Sequence, residues 1–242
     1  MDGWRARLGF LLPPGNPNIE PEIIEIAPKG VSVHFGRMIT RGVTGALDGL
    51  DERTRSMLDQ LDEPTEMLAH VKPNVIALAH TASSYMLGRE GEIKETARLQ
   101  DKFNIRFTSA FASVIEALNA LGIKRVALGA PYGEAQTLQG KAAIESYGIE
   151  VVNYCRLQNV RNIYEETAAR AYSLAREANT DQAQAIFLSG VGMPTIEVLD
   201  ALERDLGKPV ISSVSAMIWN CLRIAGVQSI KPGFGQLLEP KA

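Results

Sequence analysis

Thr108-Ser-Ala-Phe-Ala-Ser-Val-Ile-Glu-Ala-Leu-Asn-Ala-Leu-Gly-Ile123 aligns without gaps on Ser212-Ser-Val-Ser-Ala-Met-Ile-Trp-Asn-Cys-Leu-Arg-Ile-Ala-Gly-Val227. Both stretches open on hydroxyl residues of the kind that cap helices, run through an apolar helical stretch and stop at a glycine, Gly122 or Gly226. Two further matches occur in similar order. Arg7-Leu-Gly-Phe-Leu-Leu-Pro-Pro-Gly15 lies beside Arg125-Val-Ala-Leu-Gly-Ala-Pro-Tyr-Gly133, each an apolar strand running into a proline-containing turn. Val75-Ile-Ala-Leu-Ala-His-Thr81 lies beside Ala185-Ile-Phe-Leu-Ser-Gly-Val191, each a buried strand that emerges into small and polar residues. A unit duplicated in this way implies two similar lobes facing one another.

Outward from the repeat, short apolar runs alternate with stretches of helical period, the pattern of βαβ units and parallel sheets. Strands are expected at 8–12, 31–35, 75–79, 125–129, 150–154, 185–188 and 209–212. Amphipathic helices are expected within 48–70 and 163–178, where apolar residues recur at three and four. The glycine-rich, polar segment 36–49 reads as a loop and a candidate flap over a site. The expected fold class is α/β, two pseudo-symmetric Rossmann-like lobes with parallel sheets and an active-site cleft between them. The first lobe is expected to take 1–110 plus 215–242, and the second 111–214. One continuous doubly wound sheet is the competing architecture.

Composition narrows the function. With 242 residues, 45% of them hydrophobic, the chain can build its core without a disulfide or metal scaffold. Twenty-five Lys and Arg against 28 Asp and Glu leave a net charge of −3 with no dense basic block, which argues against a nucleic-acid partner. The apolar runs fall far short of the roughly 18 residues that span a bilayer, and the first residues lack the apolar core of a signal peptide. Cys155 and Cys221 are the only cysteines. A cytoplasmic protein with reduced thiols and no membrane partner is expected, and a homo-oligomer is compatible with all of this. His34, His70 and His80 lack metal-ligand spacing, so no metal is expected. Neither a Gly-x-Gly-x-x-Gly turn after a strand nor a Walker loop is present, and a Gly-x-Ser-x-Gly elbow is missing as well. No cofactor is expected.

Ligands of open parallel sheets bind at the carboxyl ends of the strands, so the matched strand ends at 13–16, 80–84, 131–133 and 189–193 should converge on one cleft. In these residues the chain resembles the aspartate/glutamate racemase superfamily, in the branch that holds maleate cis-trans isomerase and arylmalonate decarboxylase. Leu8-Gly-Phe-Leu-Leu-Pro-Pro14 is similar to the decarboxylase opening, and Asn16 followed by Glu20-Pro-Glu22 to the isomerase pattern. His80-Thr-Ala-Ser-Ser-Tyr-Met-Leu-Gly88 fits the loop after the third strand. The resemblance implies that Tyr132 binds substrate and that Asn162 meets its carboxylate. It also implies a thiol mechanism, with one or two cysteines at the positions that are His80 and Gly190 here. Neither is a cysteine. The resemblance therefore excludes a two-cysteine racemase and leaves His80 as the candidate in place of one thiol.

Removing a proton or CO2 next to a carboxylate builds an enediolate, whose charge needs donors placed where it grows. Thr81 offers a hydroxyl and an N–H, Tyr132 a phenol, and Asn16 and Asn162 their amides. Gly190, Val191 and Gly192 let backbone N–H groups come close, and Pro194 is placed to start a helix. The expected set is His80 and Tyr132 as catalytic residues, with Pro14, Asn16, Thr81, Ala82, Asn162, Gly190 and Val191 on the substrate. Each also has a plain structural reading: the glycines serve a tight turn, Thr81 caps a helix, and His80 orients a loop or holds an anion without moving a proton. The expected function is a cofactor-independent enzyme on a small carboxylate or dicarboxylate, decarboxylase- or lyase-like. The alternatives are a maleate-type cis-trans isomerase or a hydrolase using His80, and, in another class, a cytoplasmic carboxylate-binding sensor without catalysis.

Overall fold

Strand β1 (Ala6–Leu12) is buried at every position except Arg7, as a strand flanked on both sides and covered on both faces must be. The computed structural model to which it belongs describes residues 3–228 and 231–239, so the outermost ends of the expected lobe division lie outside the described residues. The first sheet continues with helix α1 (Ile19–Ile26), β2 (Val31–Arg37), α2 (Leu50–Leu58), α3 (Asp62–Ala69), β3 (Val75–Leu78), α4 (Thr81–Phe103), β4 (Arg106–Ser109) and α5 (Ala110–Ala120). The second contains β5 (Arg125–Ala130), α6 (Glu134–Glu145), β6 (Glu150–Arg156), α7 (Ala168–Ala178), β7 (Ala185–Leu188), α8 (Ile196–Leu206), β8 (Val210–Ser212) and α9 (Ser213–Ile224). Their orders are β2-β1-β3-β4 and β6-β5-β7-β8, all pairs parallel. The two sheets share one topology, as the repeat implies.

The repeated segments are α5 and α9 with the strands before them. Ser109 and Ser212 cap them, accepting from the N–H groups of Ala112 and Ser215. At the other end Gly122 and Gly226 take φ of 70° and 74°, and the N–H groups of Ile123 and Val227 reach back to Leu118 and Leu222, both at 2.9 Å. This is the Schellman arrangement, and it requires the left-handed residue that glycine supplies. Each helix then packs away from the sheet it follows. Phe111, Val114 and Leu118 of α5 join the core of β5 and β7, while Val214, Met217 and Ile218 of α9 join that of β1 and β3. The exchange ties the two sheets together and turns their carboxyl ends toward one another.

Three local expectations are corrected. Strand β4 is not among the expected strands, because four residues with an exposed start carry too little pattern. The stretch 48–70 is two helices. Pro64 has no N–H and would break a continuous helix, but as the third residue of α3 it loses no bond. The stretch 163–178 likewise opens with a separate 3₁₀ turn, Ile163–Glu165, before the Thr167 hydroxyl caps α7. Among the described residues no helix is long and apolar enough to cross a membrane.

Candidate active site between the sheets

β3 ends at Leu78 and delivers His80 as the extended cap residue of α4. Its ring is buried, and Nδ1 lies 2.8 Å from the Ser83 hydroxyl. When Ser83 donates to Nδ1, the ring proton sits on Nε2. Burial lowers the His80 pKa to about 4, and the positive charge of Arg53 adds to the effect. His80 is therefore a neutral imidazole at physiological pH. The unfolded chain takes up this proton near 6.5 and the folded chain only near 4, so the fold loses about 3 kcal/mol against the unfolded chain as pH falls from 6.5 to 4. In urea unfolding from pH 7 down to 4, the stability of His80→Asn relative to wild type is expected to rise by about that amount; parallel curves would contradict it.

Next to it, the buried Thr81 donates its hydroxyl to Ser213 Oγ at 3.1 Å, and the Gly190 N–H donates to the same oxygen at 3.1 Å. One hydroxyl at the start of α9 thus joins the β3 end to the β7 end. Gly190 has φ of 91°, open to glycine at little cost. A Cβ there would stand 2.9 Å from the Tyr132 hydroxyl and 3.2 Å from Pro131. The phenol of Tyr132, which follows β5, therefore lies directly against Gly190. Burial raises its pKa and the Tyr85 and Tyr164 phenols add to this, so it stays a protonated donor. Tyr85 stands edge-on to it at 6.4 Å between ring centres and bonds Ser189 at 2.8 Å.

The β1 end enters through Asn16, whose Nδ2 donates to the Val191 carbonyl at 2.9 Å while its Oδ1 accepts the Asn18 N–H at 2.9 Å. Pro14, half-buried, and Gly15 lie beside it, and the hydroxyl of Thr44 fills the space where a Gly15 side chain would be. Thr44 belongs to the segment 38–49, which crosses to the second lobe. Ala46 bridges to Asn162, Ile163 donates to the Gly45 carbonyl at 2.8 Å, and Asn162 Nδ2 reaches the Thr44 carbonyl at 3.4 Å. Arg53 holds the same segment by the carbonyls of Ala46 and Asp48. Tyr164 closes this side, its ring against Gly192 and its pKa pushed up to about 12 by burial, with Arg53 and Arg37 opposing.

The model of the arylmalonate decarboxylase family matches residues 8–238. The chain belongs to that family. The family resemblance read from the strand ends is thereby borne out. A maleate isomerase of Geobacillus stearothermophilus is 26% identical over 251 aligned positions, covering 97% of this chain and 98% of the relative. The arylmalonate decarboxylase of Bordetella bronchiseptica is 29% identical over 171, covering 68% and 71%. Among solved structures, a variant of the maleate isomerase from Pseudomonas putida S16 with maleate superposes with a TM-score of 0.88 at 25% identity, covering 97% of this chain and 98% of the other. The protein is an enzyme of the branch that joins these isomerases to the decarboxylase.

Within this candidate site, Asn16, Thr81, Tyr132, Gly190 and Val191 meet in one set of contacts with His80 and Ala82 alongside. Asn162 lies under the 38–49 segment, its Oδ1 accepting the Tyr164 N–H at 2.9 Å. Sequence reading missed Ser213, Tyr164 and Arg53. Ser213 had a signal. Counted from the caps Ser109 and Ser212, the second helix is one residue longer, which sets Ser213 against Ala110 and frees its hydroxyl for the cleft. Arg53 and Tyr164 lie outside the repeat and carry no local signal. The two thiols are elsewhere. Cys221 is fully buried in α9, its pKa raised by burial, and Cys155 lies on the edge strand β6.

Proposed function

We propose that the protein is a cofactor-independent decarboxylase of a small dicarboxylate of the malonate type, working through an enediolate. The observation that carries this reading is the meeting of Thr81, the Tyr132 phenol and the backbone at Gly190 beside a neutral, buried imidazole. The Thr81 hydroxyl and the Gly190 N–H are spent on Ser213 Oγ, so the donors left for the charge that grows on the retained carboxylate are the Tyr132 phenol, the Ser213 hydroxyl and the first-turn N–H groups of α4. The bond to the departing carboxylate breaks, CO2 leaves, and its electron pair enters the enediolate. That carbanion takes a proton from Nε2 of His80, and the ring recovers one from solvent. A neutral histidine near a helix N-terminus can serve in this way, because the enediolate carbon is a stronger base than the imidazolate left behind, which solvent then reprotonates. The first-turn N–H groups at Thr81 and Ala82 point out of α4 toward the same space. In this reading Pro14 and Val191 supply apolar wall, and Asn162 and Tyr164 meet the substrate beneath the 38–49 segment.

Maleate-type isomerisation is the second reading, favoured by the isomerase relatives that match over the whole chain. Cys221 is buried within α9, and Cys155, near the end of the edge strand β6, packs against the core under α7 and α8, so a sulfur adduct on either thiol is not part of either reading. The test is a turnover screen over substituted malonates and maleate with the wild type and a Cys155→Ser, Cys221→Ala double variant. Release of CO2 from a malonate, retained within a few-fold by the double variant, is the expected result. Fumarate from maleate without CO2 from any malonate would replace the first reading by the second, and activity lost with the thiols in a folded variant would overturn both.

A further inference from the structure

Glu22 of α1 is buried at 7% exposure, and it works across the lobe boundary. Its Oε1 accepts the backbone N–H groups of Thr195 at 2.5 Å and Ile196 at 2.8 Å, at the start of α8. Oε2 is buried without a hydrogen-bond partner among the described residues. Thr195 makes no side-chain cap of its own, so the cap of this helix comes from the other lobe. Two more bonds run the same way. Asn16 holds the Val191 carbonyl, and Asn18 Nδ2 holds that of Gly192 at 2.7 Å. The side chains of Val191 and Ile196 also pack in one core with Ile19 and Ile23 of α1. The segment 190–196 is thus located by α1 as much as by the strand it follows.

We propose that Glu22 is a positioning residue of the active site, its carboxylate in the first lobe holding the anion-facing segment 190–196 of the second in register with Thr81 and His80. The proposal rests on the reading of that segment as part of the substrate site. An ionised carboxylate on helix N–H groups is a stronger acceptor than a neutral carboxyl, so the grip depends on charge. Burial raises the Glu22 pKa to about 7, opposed by the two N–H groups. The charged neighbours are Glu25 on its own helix and Glu197 on α8, both pushing the same way. Arg37 of β2 is engaged by Glu20 and the Asn16 carbonyl; of the α9 residues in the shared core, Val214, Met217, Ile218 and Leu222 do not titrate, and burial raises the Cys221 pKa, which keeps its thiol neutral. The cap therefore strengthens as pH rises through neutrality.

The experiment measures amide-exchange protection at Thr195 and Ile196, corrected for intrinsic rates, at pH 6 and 8, together with malonate and maleate affinity by calorimetry. It uses wild type, Glu22→Gln and Glu22→Ala. Wild-type protection is expected to rise several-fold between the two pH values. Glu22→Gln keeps the acceptor and the shape and should abolish that pH dependence. Glu22→Ala should lose roughly tenfold in protection there and in ligand affinity, a loss on the scale of a helix cap, with α7 amides unchanged. Unchanged protection and affinity in Glu22→Ala, or a wild-type pH response in Glu22→Gln, would overturn the proposal. If Glu22→Ala does not fold, the Glu22→Gln pH response decides. Wild type that binds neither ligand removes the substrate reading, and with it this role for Glu22, whereas lost affinity without lost protection overturns the cap alone.

Discussion

Replacing His80 by alanine is expected to lower malonate turnover by about 10² to 10⁴ while leaving substrate affinity within a few-fold. The ring is buried, and with Ser83 donating to its Nδ1 the proton left to give is that on Nε2. The pH profile sharpens the expectation. Because His80 is neutral above about 4 in the free protein, kcat/KM should be independent of its titration from pH 6 to 8. A decline of about tenfold per pH unit above 4 would instead identify the imidazolium as the acid. An alanine variant that binds poorly yet turns over normally at saturation would make His80 an anion holder.

What was legible in the sequence follows from where the physics is local. The strand ends and helix caps were readable because they depend on neighbours in the chain: apolar runs of strand length, a hydroxyl before a helix, a glycine after it. Thr81, Tyr132 and Gly190 could be placed in one cleft because duplication repeats such signals and open parallel sheets bind at their carboxyl ends. The partner of each group was not readable. Ser213 joins Thr81 to Gly190 only because α5 and α9 exchange sheets, and Arg53 comes near His80 only because 38–49 folds across the cleft. Asn16 makes the same point. Its amide was expected to meet substrate, and in the fold both of its ends hold backbone, one in each lobe. Such residues set the geometry in which the legible ones act.

Tyr132→Phe is expected to reduce kcat by about 10², near 3 kcal/mol, with KM changed little, because it deletes one donor from the place where the enediolate charge develops. The phenol is 3% exposed and pressed against Gly190, so no water can enter to replace it without displacing that packing. Its raised pKa keeps the hydroxyl protonated throughout the working range, so the loss should be the same at pH 6 and pH 8. The fold should lose little. Phenylalanine keeps the edge-on contact with Tyr85, and Ser189 retains Tyr85 as partner at 2.8 Å, so the stability change should stay within about 1 kcal/mol. The comparison that decides is between kcat and the binding of a non-reacting malonate analogue. If Tyr132→Phe weakens the analogue by the same factor by which it lowers kcat/KM, and leaves kcat intact, the phenol holds the ground-state carboxylate and contributes nothing special to the enediolate.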